Sequence, residues 1–380
     1  MMTVGQRVRV LIVDDSAFMR KVLVSILATD PQIEIIGEAR DGREAIAMNE
    51  SLRPDVISMD IMMPHVDGLQ ATEQIMSTNP RPIVIVSSEA KEGAEMTLRS
   101  LELGAIDFVP KPSSGIDLDM NSIRDEICRK LKMAARVRVV RNARNLGAEK
   151  SRGTLTNSPY AKGSPSNGNG NGSYPPVVAN CNSRHPLVVM AASTGGPQTL
   201  MQLVPAIPSD FSGSILLIQH MPGTFTAQFS KQLSEVASIR VKEAEHGEEL
   251  TPGTMYVCPG SHHLRISGAG RIQLEEGERI NGYRPCADVT MESAAAFAGP
   301  MCVSVVLTGM GADGSKGVQA VKSNGGHVIA QDENSCVIFG MPAEAIKTGS
   351  VDQVLSLDSI PHALEKRSLF LMGAAKVGAV

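Results

Sequence analysis

Tryptophan is absent from the 380 residues, and aromatic residues make up only 3% of them. Cores must therefore be packed from Val, Ile, Leu, Ala and Met. No excess of positive charge is present: the formal net charge is -4, which gives no broad basic footprint for nucleic acid. The six cysteines form no C-x-x-C pair, and none has a histidine at zinc-ligand spacing. Free thiols in a reducing cytoplasm are the expectation. No stretch reaches the roughly 18 apolar residues of a spanning helix, so direct membrane insertion is not expected. The opening MMTVGQRVRVLIVDD lacks a signal-peptide apolar region, and a cytoplasmic protein is expected. Neither G-x-G-x-x-G nor G-x-x-x-x-G-K-[ST] directly follows the serine-bearing strand discussed below, which weakens a nucleotide-cofactor reading of that turn. Short-period repeats and a helix-turn-helix pattern are also missing.

What is present divides the chain. At roughly 150 residues per domain the length suggests two or three domains. Between about residues 136 and 184 the composition shifts, first to the basic run RVRVVRNARN and then to KGSPSNGNGNGSYPP. Such a Gly, Ser, Asn and Pro content buries too little apolar surface to offset ordering entropy, so a flexible linker is expected, with the basic run continuing a helix out of the first domain. The expected division is residues 1–125, a helical extension and linker over 126–184, and a second domain over 185–372.

Before the linker, nearly continuous apolar runs at 8–15, 33–39, 55–60, 82–88 and 106–110 alternate with helical stretches. That predicts a doubly wound, flavodoxin-like (βα)5 domain on a parallel sheet. After it, runs at 186–193, 214–220, 254–260, 301–309 and 327–332 predict a second α/β domain, Rossmann-like, with a hairpin at 262–276. The apolar tail 369–380 reads as the end of a packed helix followed by a frayed terminus.

Function in such sheets gathers at the carboxyl ends of the strands. In the first domain these ends carry Asp14 and Asp15, Asp60, Ser87 and Lys111. Clustered carboxylates repel unless a cation compensates them, and a hard divalent ion, Mg2+ above all, suits oxygen ligands. Asp60 could then act as nucleophile toward a phosphoryl group, with Ser87 and Lys111 touching its oxygens. The set DD, D-x-x-M-P, S-S and K-P resembles response-regulator receiver domains over residues 8 to about 125. The resemblance implies phosphorylation of Asp60 by a histidine kinase and a switch involving Ser87, Phe108 and Lys111. It also implies a metal held by Asp14, Asp15, Asp60 and the Met62 backbone carbonyl, and a Lys111–Pro112 bond that is often cis in that family.

In the second domain the run VVMAASTGGPQ ends a strand at Ser193. Alone, STGG is a nucleophile's turn or a phosphate-binding turn. A serine nucleophile needs a base, an orienting carboxylate and oxyanion donors. His220 ends SILLIQH, and Asp313 lies in LTGMGADG. If their strands flank that of Ser193, the three side chains meet on one rim, in a chain order unlike the familiar triads but judged by geometry. Gly195 and Gly196 let backbone N–H groups approach a ligand, and the turn at Met310 offers another, so Met310, Thr194 and Gly195 are candidate oxyanion donors. His246, His262, His263 and His327 are rival bases.

Taken together, AASTGGP, QHMPGTFTAQF, GTMYVCPGSHHL, YRPCAD, LTGMGADG and AQDENSCVIFGMP resemble the chemotaxis protein-glutamate methylesterases over about residues 185–350. Two departures are the long linker and Cys286-Ala287, where the family often has Ser-Val. The resemblance implies a Ser193, His220, Asp313 triad, an oxyanion hole that includes the Met310 backbone, and no cofactor for the ester chemistry. It implies as substrates γ-glutamyl methyl esters and glutamines on chemoreceptors, and a receiver that covers the serine until phosphorylated. The rival readings are a phosphorylation-controlled receptor-binding module without catalysis, and a receiver joined to a nucleotide-binding output.

Overall fold

In the computed structural model the described residues are 7–87, 91–111, 120–137, 139 and 182–377. The Gly/Ser/Asn/Pro stretch expected as a linker, and Pro112 of the Lys-Pro pair, lie outside them.

The first unit is a five-stranded parallel sheet: β1 (Val8–Val13), β2 (Ile33–Ala39), β3 (Val56–Met59), β4 (Ile83–Ser87) and β5 (Asp107–Pro110), in spatial order β2-β1-β3-β4-β5. Helices α1 (Ala17–Leu27), α2 (Gly42–Leu52), α3 (Gly68–Thr78), α4 (Lys91–Glu102) and α5 (Met120–Ala134) connect and follow the strands. β3 and β4 are buried at every position, which is why their sequences are apolar runs rather than alternating ones. Because β1 leads outward to β2 and β3 leads the other way, the order reverses between β1 and β3. That is the switch point where an open α/β sheet leaves a crevice.

The expected boundary after residue 125 falls inside α5, whose Ile127, Cys128 and Leu131 pack in the core with β1 and β4. Most of the basic run expected to continue a helix lies outside the described residues. α5 ends at Ala134, and the described residues 135–137 are turn and bend.

The second unit is a seven-stranded, wholly parallel sheet. Its strands are β6 (Leu187–Ala192), β7 (Ser214–Gln219), β8 (Arg240–Glu243), β9 (Thr254–Val257), β12 (Cys302–Val306), β13 (His327–Gln331) and β14 (Gln353–Leu355), in order β14-β13-β12-β6-β7-β9-β8. β10 (His263–Ile266) and β11 (Ile272–Glu275) form the expected antiparallel hairpin. The helices are α6 (Gly196–Leu203), α7 (Gly223–Val236), α8 (Ala287–Ala298), α9 (Ser315–Ser323), α10 (Met341–Lys347) and α11 (Ile360–Val377). All six residues of central β6 are buried, and each large aliphatic among them contributes about 1.5–3 kcal/mol. The edge strands β8 and β14 escape sequence reading because they are short and only partly buried, so they lack an apolar run. The apolar tail continues α11 to Val377, with Leu371 buried and Leu369 and Phe370 exposed. No described helix is long and apolar enough to cross a membrane.

The two units touch. Leu98 and Leu101 of α4 line a small cavity with Pro197 and Met201 of α6 and Phe229 of α7. Phe108 packs on Phe225 of α7 with ring centroids 4.4 Å apart.

Candidate active site

The second sheet reverses direction between β6 and β12, so its crevice opens at their carboxyl ends. Ser193 is the first residue past β6. His220 is the first past β7, and the preceding residues Ala192 and Gln219 are register partners. The His220 N–H donates to the Ala192 carbonyl at 3.0 Å, and the Ser193 N–H donates to Thr308, beyond β12, at 3.0 Å. Ser193 is thus stitched between the strand ends that bear the other two candidates. Gln219 Nε2 adds a bond to the Ser193 carbonyl at 3.0 Å.

Asp313 lies in the glycine-rich turn between β12 and α9, and its carboxylate is fully engaged. Oδ2 accepts from His220 Nε2 at 2.7 Å and from the Ala287 N–H at 2.7 Å. Oδ1 accepts the N–H groups of Asp288 and Gly314, each at 3.0 Å, and the Cys286 thiol at 3.1 Å. Ala287 and Asp288 begin α8, whose own cap residue Cys286 makes no capping bond. Asp313 therefore supplies that helix's missing cap from another element, where the N-terminal dipole favours an anion. Burial pushes its carboxyl upward, but the His220 ring and the backbone donors outweigh this and hold it below the ordinary range. Cys286 moves the other way, to about 12, through burial and the Asp313 charge, so it stays a protonated donor. Cys286, Asp288 and Asp313 form a compact buried cluster, yet the thiol's role as donor to Asp313 argues for a structural contact rather than metal ligation.

His220 Nδ1 is buried and has no hydrogen-bond partner among the described residues, the Ser193 hydroxyl included. The ring nitrogen left open is thus Nδ1, because Nε2 is taken by Asp313. Met310 follows Gly309, which lies so close to Ser193 that a Cβ there would sit 2.8 Å from the serine Cβ. Thr194 and Gly195 lead into α6, and Gly195 has the left-handed φ of 75° that only glycine adopts freely.

The rival histidines lie apart from this arrangement. His263 bonds the Glu278 carbonyl at 3.0 Å, His262 pairs with Ser261 and Glu276, and His246 meets Leu274. His327 pairs with Asp352 at 3.3 Å. Three contacts were not legible in the sequence. The Tyr283 ring stacks on His220, the Cys286 thiol bonds Asp313, and Thr194 Oγ1 donates to Asp107 Oδ2 across the two units at 2.6 Å. The motif YRPCAD held a signal for the first two, but nothing in its spacing assigned them roles. The third depends on how the units dock.

A second cluster lies at the switch point of the first sheet. Carboxylate oxygens of Asp14, Asp15 and Asp60 lie within 4.8 Å of one another, a donor set that fits a hard divalent cation. Lys111 Nζ bridges Asp14 and Asp60 at 2.8 Å each. Burial would lower Lys111, but the two carboxylates outweigh it and hold the ammonium above its ordinary value. Burial pushes the Asp60 carboxyl up to about 6 against the pull of Lys111. Ser87 is buried at the end of β4 and its carbonyl accepts from the Lys111 N–H at 2.8 Å. Met62, two residues after Asp60, is 49% exposed. Asp107 Oδ1 pairs with Lys130 at 3.1 Å, beside the buried Phe108.

A family model described as "CheB methylesterase" matches residues 188–364, and one described as "Response regulator receiver domain" matches residues 10–121. The chain is 44% identical over 381 residues to a protein-glutamate methylesterase/protein-glutamine glutaminase of Pyrococcus horikoshii, covering 98% of this chain and 97% of that protein. Its counterpart from Symbiobacterium thermophilum is 40% identical, covering 96% and 98%. The crystal structure of the Thermotoga maritima CheB methylesterase catalytic domain is 41% identical, covers 48% of this chain and 99% of that chain, and has a TM-score of 0.47. With a receiver match ahead of a methylesterase match, and relatives aligned along nearly its whole length, the chain belongs to the protein-glutamate methylesterase/protein-glutamine glutaminase family.

Proposed function

We propose that the protein is a phosphorylation-activated hydrolase of the chemotaxis pathway. It removes γ-methyl esters from glutamates of chemoreceptors, releasing methanol, and deamidates receptor glutamines to glutamate. The observation that carries this reading is the near-full-length kinship of 44% identity, joined to a serine, a histidine and an aspartate at the carboxyl ends of neighbouring strands.

Ser193 Oγ attacks the ester carbonyl while His220 Nδ1 accepts its proton. Asp313, bonded to Nε2, selects the tautomer and stabilises the imidazolium. Backbone N–H groups of Met310, Thr194 and Gly195 receive the oxyanion. The tetrahedral intermediate expels methoxide, which leaves as methanol with the proton from Nδ1. Water then hydrolyses the glutamyl-serine ester by the same steps. With glutamine, ammonia is the leaving group. Ser193 must first turn toward Nδ1, and such bonds are often unmade before substrate binds.

The receiver supplies control. Asp60 takes a phosphoryl group from a chemotaxis histidine kinase. Asp14, Asp15, Asp60 and the Met62 carbonyl would hold Mg2+, which offsets the charge of the phosphoryl oxygens. Ser87 and Lys111 contact the phosphoryl group, and Phe108 moves with them. Because Asp107 and Phe108 bear on Thr194 and Phe225, a shift of β5 loosens the cover over Ser193. The boundary between the phosphoacceptor unit and the catalytic unit falls in the segment between residues 137 and 185.

The test is methanol release from methylated receptor, with and without an acyl-phosphate donor. Ser193→Ala should abolish release while receptor binding persists, and the donor should raise the parent's rate. Removing residues 1 to about 150 should bring the basal rate toward the phosphorylated one. Release that survives Ser193→Ala unchanged refutes the nucleophile and leaves the binding-module reading.

A further inference from the structure

Tyr283 stands at the end of a small loop closed by backbone bonds between Ile280 and Tyr283. Its ring lies against the His220 imidazole, with centroids 4.5 Å apart and planes 21° from parallel. The phenol oxygen reaches the glycine-rich turn after β12. Space for it exists only because residue 311 is glycine: a Cβ there would lie 1.9 Å from the phenol oxygen. The tyrosine is therefore packed against the turn that carries Met310 and Asp313, and it faces the His220 ring.

The consequences for His220 follow from its ring. Nε2 is tied to Asp313, but one bond at an edge leaves the imidazole free to rock about it. An aromatic face stacked on the ring removes that freedom and keeps Nδ1 aimed at a fixed point. It also presents π-density to the ring when Nδ1 is protonated and the imidazolium carries charge. The same short segment acts on Asp313, through the Cys286 thiol and the Ala287 and Asp288 N–H groups. YRPCAD thus grips both members of the histidine–aspartate pair.

We propose that Tyr283 is a positioning residue for the ester hydrolysis, acting through His220 by its ring and not by its hydroxyl. This rests on His220 being the general base. The test uses the full-length protein under saturating acyl-phosphate donor, with kcat and KM measured for methylated receptor in membranes. Tyr283→Leu should lower kcat about 10- to 100-fold, the scale of a misplaced catalytic group, with KM changed less than about threefold. Tyr283→Phe, which keeps the ring, should stay within about threefold of the parent in both, a loss of at most one neutral hydrogen bond. Tyr283→Met carries the same expectation as leucine should the latter fail to fold. A parental kcat in the folded leucine or methionine variant, a loss confined to KM, or a phenylalanine variant as poor as they are, overturns the proposal. Ser193→Ala and His220→Gln run alongside separate the two readings. If either retains parental release, the triad itself is wrong. If both are inactive while Tyr283→Leu is parental, only the role of Tyr283 falls.

Discussion

Replacing Asp107 by asparagine tests how the receiver restrains the catalytic unit. Asp107 Oδ2 accepts the Thr194 hydroxyl at 2.6 Å, within the short range of O–H···O⁻ bonds, and Thr194 is the residue after the nucleophile. Oδ1 accepts the Phe108 N–H and pairs with Lys130, so the carboxylate is braced inside the receiver as well. Asparagine keeps the shape and one acceptor but discards the charge. A bond to a charged acceptor is worth about 1.5–3 kcal/mol and a neutral one about 0.5–1.5, so the substitution should weaken the docked state by about 1–1.5 kcal/mol. At 1.36 kcal/mol per tenfold, the undocked population rises roughly five- to tenfold. Methanol release by the unphosphorylated variant should rise by that factor, while the rate under saturating phosphodonor stays at the parental value. That ceiling is the control, because no proposed catalytic group has been altered. An unchanged basal rate would show that this bond does not restrain the enzyme. A rise in both rates by the same factor would place the effect on the chemistry instead.

Other substitutions probe the site and its support. Asp313→Asn should reduce kcat by about 10³–10⁴-fold, because the amide cannot hold the required imidazole tautomer. Asp313 titrates below its ordinary 3.8, so the stability it contributes is present above that pH and is lost as the pH falls through the folded value. Acid unfolding monitored by circular dichroism should therefore lose part of its slope below pH 3.8 in the asparagine variant, and an unchanged slope counts against the donor set. Lys111→Ala leaves Asp14 and Asp60 facing each other, and the receiver should lose about 1–3 kcal/mol, less than for a fully buried pair because the lysine is 18% exposed. Added Mg2+ should restore more stability to that variant than to the parent in thermal melts, and an equal gain would argue against the cation site. Cys286→Ser retains a donor to Asp313 and should keep kcat within about threefold of the parent, since a thiol is a weak donor to begin with. A large loss would mean that thiol volume, not donation, matters.

Most of the architecture is legible in the chain because fully buried parallel strands leave continuous apolar runs. The runs ending at Ser193 and at His220 are of this kind, and each candidate side chain sits where its run stops. The edge strands Arg240–Glu243 and Gln353–Leu355 leave no such trace, since only one of their seven residues is buried.

The sequence by itself singled out the candidate residues and set them at strand ends, for burial and strand length are written locally. Only the tertiary structure decided which nitrogen of His220 meets Asp313, that Asp313 caps a helix outside its own segment, that Tyr283 covers the imidazole and that Asp107 reaches Thr194. Each of these joins residues brought together by strand order and domain docking. Such contacts depend on angles and distances that accumulate over the whole fold, and no spacing along the chain encodes them.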